Sequence, residues 1–267
     1  MFKKKKIKTG WGRVANWYDE LLGKDGSYQA DVILPSVLRL LDIKNGETVL
    51  DLATGQGFFA RHFRDLGAKV IASDVSHELI DIARKADLSQ GNGKDLPAGR
   101  QESIKYFIEA SNNLNFLPDG SVDKIAIILA LQNIEDISGT FTECFRVLKS
   151  GGRLVLVINH PALRVPKESS WGFDEKGDVQ FRRVDRYLSE FKVAIKMHPG
   201  EKDSPFTVSF HRPLQYYFKM LCSAGFLVKN LEELVSNKKS QEGPRQRAED
   251  RARQEIPLFM AMVAVKN

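Results

Sequence analysis

The chain has 267 residues, of which 42% are hydrophobic and 28% are charged, as is typical of a globular protein with a substantial core. Its two cysteines, Cys144 and Cys222, lie far apart, which excludes a disulfide framework and a cysteine-based metal site. No apolar run reaches the roughly 18 residues that a membrane-spanning helix needs. We therefore expect a soluble, cytoplasmic protein that holds no metal and has no membrane span.

The net charge of +6 comes from the two ends of the chain. Residues 1–9 hold five lysines, and residues 236–267 hold seven basic and four acidic residues. This leaves 28 basic and 30 acidic residues between positions 10 and 235, so that part of the chain is close to neutral. We expect a disordered basic tail over residues 1–9 and a single domain over residues 10–267, and nucleic acid is not an expected partner.

Strands and helices alternate regularly through the first 160 residues. Apolar residues at helical spacing over residues 10–42 predict an N-terminal helical cap, and Asn45-Gly46 marks the turn after it. Ser76 is suited to cap a helix that begins there. This alternation predicts a parallel sheet covered by helices on both faces. The predicted strands cover residues 48–52, 68–73, 104–108, 122–131 and 154–158, and the predicted helices cover residues 57–66, 76–88 and 138–148.

The rest of the chain is less regular. Residues 160–212 are rich in aromatic, charged, proline and glycine residues and show little periodicity. A helix is predicted to end at Gly225, whose missing side chain suits the position after a helix. We predict this helix over residues 214–224 and two final strands over residues 226–235 and 257–265. Two surface loops are predicted over residues 236–254 and 89–102.

The segment Asp51-Leu52-Ala53-Thr54-Gly55-Gln56-Gly57 joins the first predicted strand to a helix. Gly55 and Gly57 lack a Cβ atom, so the backbone can bend sharply and approach a ligand closely, and the following helix points unpaired amides at that ligand. The glycine spacing alone also fits a dinucleotide site. Asp51 favours a different ligand, because its carboxylate would repel a diphosphate and attract the ammonium and sulfonium groups of S-adenosylmethionine. We therefore expect S-adenosylmethionine as the cofactor.

Asp74 lies seventeen residues beyond Gly57, at the tip of the second predicted strand. An acidic residue at this position can accept hydrogen bonds from both ribose hydroxyls of a nucleoside cofactor. It can also act as a charge that complements the dipole of the next helix. The spacing from the glycine turn favours the ribose-binding interpretation.

Several segments, taken in order, resemble the motifs of one family. Asp51-x-x-x-Gly55-x-Gly57 and Asp74-Val75-Ser76 resemble motif I and the second-strand acid of class I S-adenosylmethionine-dependent methyltransferases. The stretches 109–123 and 145–154 are similar to the family's later motifs, and the resemblance is closest to enzymes of the ubiquinone/menaquinone-biosynthesis type. Two positions depart from the pattern, with Ala53 in place of a glycine and Asn115 in place of a proline.

The resemblance implies a fold and a set of site residues. The implied fold is an α/β, Rossmann-like three-layer sandwich with a mostly parallel seven-stranded sheet whose last strand is antiparallel. Phe58 would flank the methionyl arm of the cofactor and Val75 would pack on its adenine, although either could be an ordinary core residue. Glu109 would accept a bond from the adenine amino group, or be a solvated acid at a strand end. The full implied cofactor-binding set is Tyr18, Asp51, Ala53, Gly55, Gly57, Phe58, Asp74, Val75, Glu109, Ala110 and Leu129.

The resemblance also implies the chemistry, which is transfer of a methyl group by in-line displacement to a small-molecule acceptor. His160 and His211 are candidates for a catalytic base or an orienting donor, because an unperturbed histidine titrates near neutrality, but either could be a structural residue. Residues 160–212 are expected to form an insertion or lid on the acceptor side. The alternatives are an RNA or protein methyltransferase, an NAD-dependent oxidoreductase, and a non-catalytic nucleotide-binding domain.

Overall fold

The computed structural model describes residues 26–91, 104–197, 200 and 203–267. The expected basic tail, residues 10–25 of the N-terminal cap and most of the expected loop 89–102 lie outside these residues. Within them, no helix is long and apolar enough to cross a membrane.

The central feature of the described chain is a sheet of seven strands. Its spatial order is β3-β2-β1-β4-β5-β11-β10, and β11 runs antiparallel to both of its neighbours while the other pairings are parallel. This arrangement confirms the predicted fold class, including the antiparallel last strand. The strands are β1 (Thr48–Leu52), β2 (Lys69–Asp74), β3 (Lys105–Ile108), β4 (Val122–Ile128), β5 (Leu148–Asn159), β10 (Leu227–Leu234) and β11 (Phe259–Val265).

The central strands contain apolar runs, such as residues 125–128 of β4 and 154–158 of β5, because helices cover both faces of the sheet. Alternate residues point to opposite faces, so Leu50 and Leu52 enter one hydrophobic cluster while Val49 enters the other. One face carries α1 (Leu34–Leu41), which follows a π-helical turn over Gln29–Ile33, and α2 (Phe58–Asp65). The other carries α4 (Ile137–Val147) and α5 (Leu214–Ser223).

The helix ends follow local sequence signals. α3 (His77–Gly91) begins after Ser76, whose hydroxyl oxygen accepts a bond of 3.3 Å from the amide of Leu79, as predicted for a capping residue. Gly225 follows α5 with a φ of +99°, a conformation that favours glycine. The helix and strand types predicted through residue 158 are correct, with ends displaced by up to six residues, as where β5 begins.

Residues 160–212 are more regular than their sequence suggests. They contain two antiparallel hairpins, formed by β6 (Ser169–Asp174) with β7 (Val179–Val184) and by β8 (Phe191–Lys196) with β9 (Phe206–His211). Each two-stranded hairpin buries only part of one face, so exposed apolar residues such as Phe181 and Phe206 obscure the alternation that normally reveals a strand.

The expectation of a surface loop over residues 236–254 holds only for residues 236–245, which form no helix or strand. The rest of the segment lies in α6 (Gln246–Glu255), a helix that packs against β7. Only Ala248 and Ala252, four residues apart, are buried along it. Two alanines among charged residues form too narrow an apolar stripe to stand out in the sequence.

Candidate functional site

A cleft with a cavity volume of about 150 Å³ lies at the carboxyl ends of β1, β2 and β4. The strand order reverses between β1 and β4, and this switch point is where open α/β sheets bind their ligands. The lining residues are Asp51, Ala53, Thr54, Gly55, Gln56, Phe58, Phe59, Asp74, Val75, Leu79, Ile128, Leu129, Ala130, Asn133 and Ile134.

The turn after β1 forms the floor of the cleft. Gly55 has a φ of +59°, and a Cβ atom built on it would meet nothing within 4 Å. Gly57 has a φ of +76°, and a Cβ atom there would lie 3.1 Å from Tyr106 Oη and 3.2 Å from Ala83 Cβ. Gly57 is therefore needed for packing beneath the turn, whereas Gly55 leaves room above the backbone. Ala53 also has a left-handed backbone, with a φ of +58°.

Asp51 presents a buried carboxyl group to the cleft. Its side chain is 2% exposed, and Oδ2 accepts a bond of 2.6 Å from the Thr54 hydroxyl. Burial raises the pKa of Asp51 to about 7, against the opposing effect of hydrogen bonds from Thr54 and the amide of Ala60. Asp51 forms no ion pair with a cationic side chain of the described chain. A cation supplied by a ligand would stabilise the charged form of this buried carboxyl group.

Asp74, the last residue of β2, is the second acid of the cleft. Its Oδ2 accepts a bond of 2.9 Å from the amide of Gly55, and Oδ1 accepts one of 2.8 Å from the amide of Ser76. Burial raises the pKa of this carboxyl group, and these backbone bonds oppose the rise. The carboxylate thus ties the glycine turn to the start of α3. Each of its oxygens still has a second lone pair with which to accept a bond from a ligand.

The wall opposite Asp74 is formed by the chain after β4. Leu129 has a strained φ of +53°, and its carbonyl accepts a bond of 2.7 Å from Gln132 Nε2. Asn133 lines the cleft, and its Nδ2 donates a bond of 2.9 Å to the carbonyl of Val208 in β9. Strained residues cluster at functional sites, where the surrounding contacts hold them. This wall is therefore connected directly to the β8–β9 hairpin.

The cleft also has a polar atom without a partner. Gln56 is 2% exposed, and its Oε1 accepts no hydrogen bond from the described residues. A buried acceptor in this state is costly unless a donor reaches it. Two acids, an unpartnered acceptor and an open glycine turn fit a cationic nucleoside ligand such as S-adenosylmethionine.

Most of the predicted cofactor-binding residues line this one cleft. They are Asp51, Ala53, Gly55, Phe58, Asp74, Val75 and Leu129. Gly57 lies directly beneath the turn. Glu109 and Ala110 follow β3 beside the cleft, where the amide of Glu109 donates a bond of 3.1 Å to the carbonyl of Asp74, but the lining residues do not include them. Tyr18 lies outside the described residues.

His160 is buried and away from the cleft lining, and both of its ring nitrogens have partners. Nδ1 lies 3.2 Å from the amide of Leu163, which must be the donor, so the proton of a neutral ring is on Nε2. Nε2 lies 2.6 Å from a carboxylate oxygen of Glu233. Neither nitrogen keeps a lone pair for a substrate proton, so this arrangement argues against the expected role of base.

His211, the last residue of β9, is also buried and absent from the lining. Its Nε2 donates a bond of 2.8 Å to the carbonyl of Tyr187, which leaves Nδ1 as the basic nitrogen. Burial lowers the pKa of His211, which favours the neutral ring. Of the two histidines, only His211 keeps the basic nitrogen that the predicted role requires.

The sequence did not single out several lining residues. Thr54 and Gln56 lie inside the recognised motif, but the motif specifies only the acid and the glycines around them. Asn133 contributes through a contact that the fold sets, because its partner Val208 is 75 residues away in the sequence. No local pattern could have indicated that contact.

Comparison with known proteins agrees with the geometry of this cleft. Residues 50–156 match the model of a family described as a methyltransferase domain. The crystal structure of an S-adenosylmethionine-dependent methyltransferase from Mesorhizobium loti has a TM-score of 0.66 and 25% identity, and the match covers 87% of this chain and 96% of that one. These comparisons support the predicted family, enzyme class and cofactor.

Two curated relatives match part of the length of this chain. Demethylmenaquinone methyltransferase of Tropheryma whipplei is 31% identical over 156 residues, which are 58% of this chain and 60% of the relative. The ubiquinone/menaquinone biosynthesis C-methyltransferase of Hahella chejuensis is 29% identical over 171 residues, which are 60% of this chain and 64% of the relative. The matches thus span less than two thirds of either relative.

Proposed function

We propose that this protein transfers the methyl group of S-adenosylmethionine to a small-molecule acceptor. The observation that carries the proposal is the buried Asp51 carboxyl group, which lines the cleft and forms no salt bridge within the described chain, although the charge of Arg61 acts to lower its pKa. Such a group favours a ligand with a positive charge and disfavours one with a diphosphate. The names of the two curated relatives refer to demethylmenaquinone and to ubiquinone/menaquinone biosynthesis. These names support a small-molecule acceptor.

The two acids have separate roles in this proposal. Asp51 binds the cationic amino-acid arm, and Asp74 accepts bonds from the ribose hydroxyls while its bond to the Gly55 amide keeps the turn in place. Phe58 and Val75, both in the lining, flank the two ends of the bound molecule. When bound, the cofactor supplies a methyl group already activated by a sulfonium. The chain has to hold an acceptor atom about 3 Å from it and exclude water.

The acceptor would enter from the side of residues 160–212, which we propose as a lid. The bond from Asn133 to the carbonyl of Val208 joins the cleft wall to the β8–β9 hairpin. Leu129, Ala130 and Ile134 give that wall an apolar surface. A small, largely apolar acceptor fits such a wall better than a nucleic-acid strand, whose phosphates require a row of cations.

A base is needed only if the acceptor must lose a proton before or during transfer. His160 is left out of the proposal because both of its ring nitrogens have partners. His211 remains the candidate, through Nδ1. Its distance from the lining requires the hairpin to approach the acceptor when the cleft is occupied.

The proposal is tested by titrating S-adenosylhomocysteine, S-adenosylmethionine and NAD into the protein in a calorimeter. We expect both adenosyl compounds to bind and NAD not to bind. Asp51→Ala and Asp74→Ala should each weaken binding about 100-fold or more, since each removes charged hydrogen bonds worth about 1.5–3 kcal/mol apiece. Asp119→Ala is a matched control, because that exposed acid is ion-paired with Arg146 away from the cleft. Binding of NAD alone would overturn the proposal.

Methyl transfer itself is tested with labelled S-adenosylmethionine. Extracts separated into small molecules, RNA and protein would serve as acceptors, with Asp51→Ala as the inactive control. We expect label in the small-molecule fraction. Label confined to RNA or protein would establish the alternative, a macromolecular methyltransferase.

A further inference from the structure

Two arginines at the carboxyl edge of the sheet lack the acidic partners that buried arginines normally have. Arg164 and Arg182 are both partly buried, and neither forms an ion pair with a carboxylate of the described chain. Two neighbours in the same segment differ, because Arg183 is paired with Asp185 and Arg186 with Glu168. Buried charges are normally paired, so the unpaired arginines need an explanation.

The two guanidinium groups are held beside each other by neutral groups. Arg182 Nε donates a bond of 2.8 Å to the carbonyl of Leu163, the residue before Arg164, and its Nη2 donates one of 2.7 Å to Ser169 Oγ. Arg164 Nη1 donates a bond of 3.0 Å to Asn159 Oδ1. A guanidinium has five N–H donors, so these bonds with the described chain fix the orientation of each group and leave other donors available to a ligand.

Mutual repulsion adds to the cost of this arrangement. Burial lowers the pKa of both arginines, and the charge of Arg182 lowers the pKa of Arg164 further. Aromatic rings offset only part of this cost. The ring centroid of Phe259 lies 5.5 Å from Arg164 Cζ, and that of Trp171 lies 5.1 Å from Arg182 Cζ. An oxyanion between the two groups would relieve both the burial and the repulsion.

The position of the pair relates it to the acceptor. Asn159 is the last residue of β5, and Phe259, paired with it in the sheet, is the first of β11. β5 lies beside β4, and the amide of Leu129 in the cleft wall donates a bond of 2.7 Å to the carbonyl of Val157 in β5. The arginines therefore lie at the same edge of the sheet as the cleft, on the side of residues 160–212.

We propose that Arg164 and Arg182 form a binding site for an oxyanion, a carboxylate or a phosphate, carried by the acceptor. This inference rests on the proposed function and adds a chemical class to it. The neighbouring rings of Phe259, Trp171 and Tyr28, the last lying edge-on to Phe259 at 5.8 Å, suit an acceptor whose anionic group is attached to an aromatic body. The site binds and orients the acceptor and takes no part in the bond changes.

The test uses the full chain saturated with S-adenosylhomocysteine and three probes: benzoate, inorganic phosphate, and benzyl alcohol as the uncharged match to benzoate. We expect calorimetry at low salt to show binding of benzoate, phosphate or both, and none of benzyl alcohol. Benzoate binding identifies the group as a carboxylate, and phosphate binding as a phosphate. Arg164→Gln and Arg182→Gln should each weaken anion binding about tenfold or more, the effect of losing one charged hydrogen-bonding partner. Arg183→Gln, on the opposite face of β7, should change it less than twofold.

The results separate the two proposals. Loss of S-adenosylhomocysteine binding by the wild-type protein contradicts the proposed function. If S-adenosylhomocysteine binds but neither anion does, or if both glutamine variants bind anions like the wild type, only the anion site is overturned. Should a glutamine variant fail to bind S-adenosylhomocysteine, Arg164→Lys or Arg182→Lys takes its place. These lysine variants keep the positive charge but lack the planar set of N–H donors of a guanidinium. Their anion binding is compared with that of Arg183→Gln in the same way.

Discussion

Thr54 donates its hydroxyl proton to Asp51 across 2.6 Å, and both side chains are buried at the floor of the cleft. The bond favours the charged form of Asp51, whereas burial disfavours it more strongly and raises the pKa to about 7. The carboxyl group is therefore balanced between its two forms at neutral pH. A cation in the cleft would move that balance to the charged form, which makes Asp51 both a binding group and a source of instability in the free protein.

The first prediction concerns the stability of the free protein. Because the pKa of Asp51 is raised on folding, the folded state retains a proton that the unfolded state loses between about pH 4 and pH 7, so this residue's contribution to stability falls as pH rises through that window. Asp51→Asn should remove the effect and raise the free energy of unfolding at pH 8 by about 1–4 kcal/mol. The gain should be smaller at pH 5. Urea unfolding at both pH values measures it, and equal or lower stability of the variant at pH 8 would contradict the raised pKa.

The second prediction concerns cofactor affinity. Protonated Asp51 must lose its proton to bind a cation, so the affinity for S-adenosylhomocysteine should fall about twentyfold from pH 7.5 to pH 5.5. At pH 6 binding should release close to one proton. Calorimetry at pH 6 in Mes and Bis-Tris buffers, whose ionisation heats differ, measures the proton count directly. Heats that are the same in both buffers, together with a flat affinity profile, would refute this coupling.

The third prediction separates the two glycines of the turn. Gly55→Ala should lower the unfolding free energy by only about 1–2 kcal/mol, the cost of a left-handed alanine, because its Cβ meets nothing within 4 Å. Its methyl group would project into the ligand space, so cofactor binding should weaken at least tenfold. Gly57→Ala should cost more stability because its Cβ lies 3.1–3.3 Å from Tyr106, Ala83 and Arg61. Thermal melts and calorimetry on both variants test this order, and equal effects would contradict it.

The fourth prediction concerns Arg212, which is 6% exposed and holds the cleft wall from behind. Its Nη2 donates a bond of 2.8 Å to the carbonyl of Glu135, and its Nη1 one of 3.4 Å to the carbonyl of Leu131. Arg212→Met removes both charged hydrogen bonds, although each carbonyl keeps a bond from a backbone amide, and should lower the unfolding free energy by about 2–4 kcal/mol. Arg183→Met, at an exposed position, should change it by less than about 0.5 kcal/mol. Urea unfolding compares the two variants, and similar effects would show that Arg212 has no such role.

The cofactor half of the protein could be predicted from sequence because its signals are local. The turn from Asp51 to Gly57 needs glycine where φ is positive and space is limited, and both requirements act within seven residues. The strands from β1 to β5 are covered on both faces, so their apolar runs stand out from the polar turns between them. The position of Asp74 in the cofactor site could be predicted because a strand–helix–strand unit of regular length separates it from the turn.

The tertiary structure decided the rest, because the deciding contacts join residues far apart in sequence. The bond from Asn133 to Val208 connects the cleft wall to a hairpin that no periodicity revealed, and Glu233 engages a ring nitrogen of His160 from 73 residues away. α6 shows only two buried alanines in its sequence. Nor does the sequence show which arginines find acidic partners, since Arg182 and Arg183 are adjacent but point to opposite faces of β7. Local propensity determined the cleft around the glycine turn, whereas long-range packing determined the structure of residues 160–212.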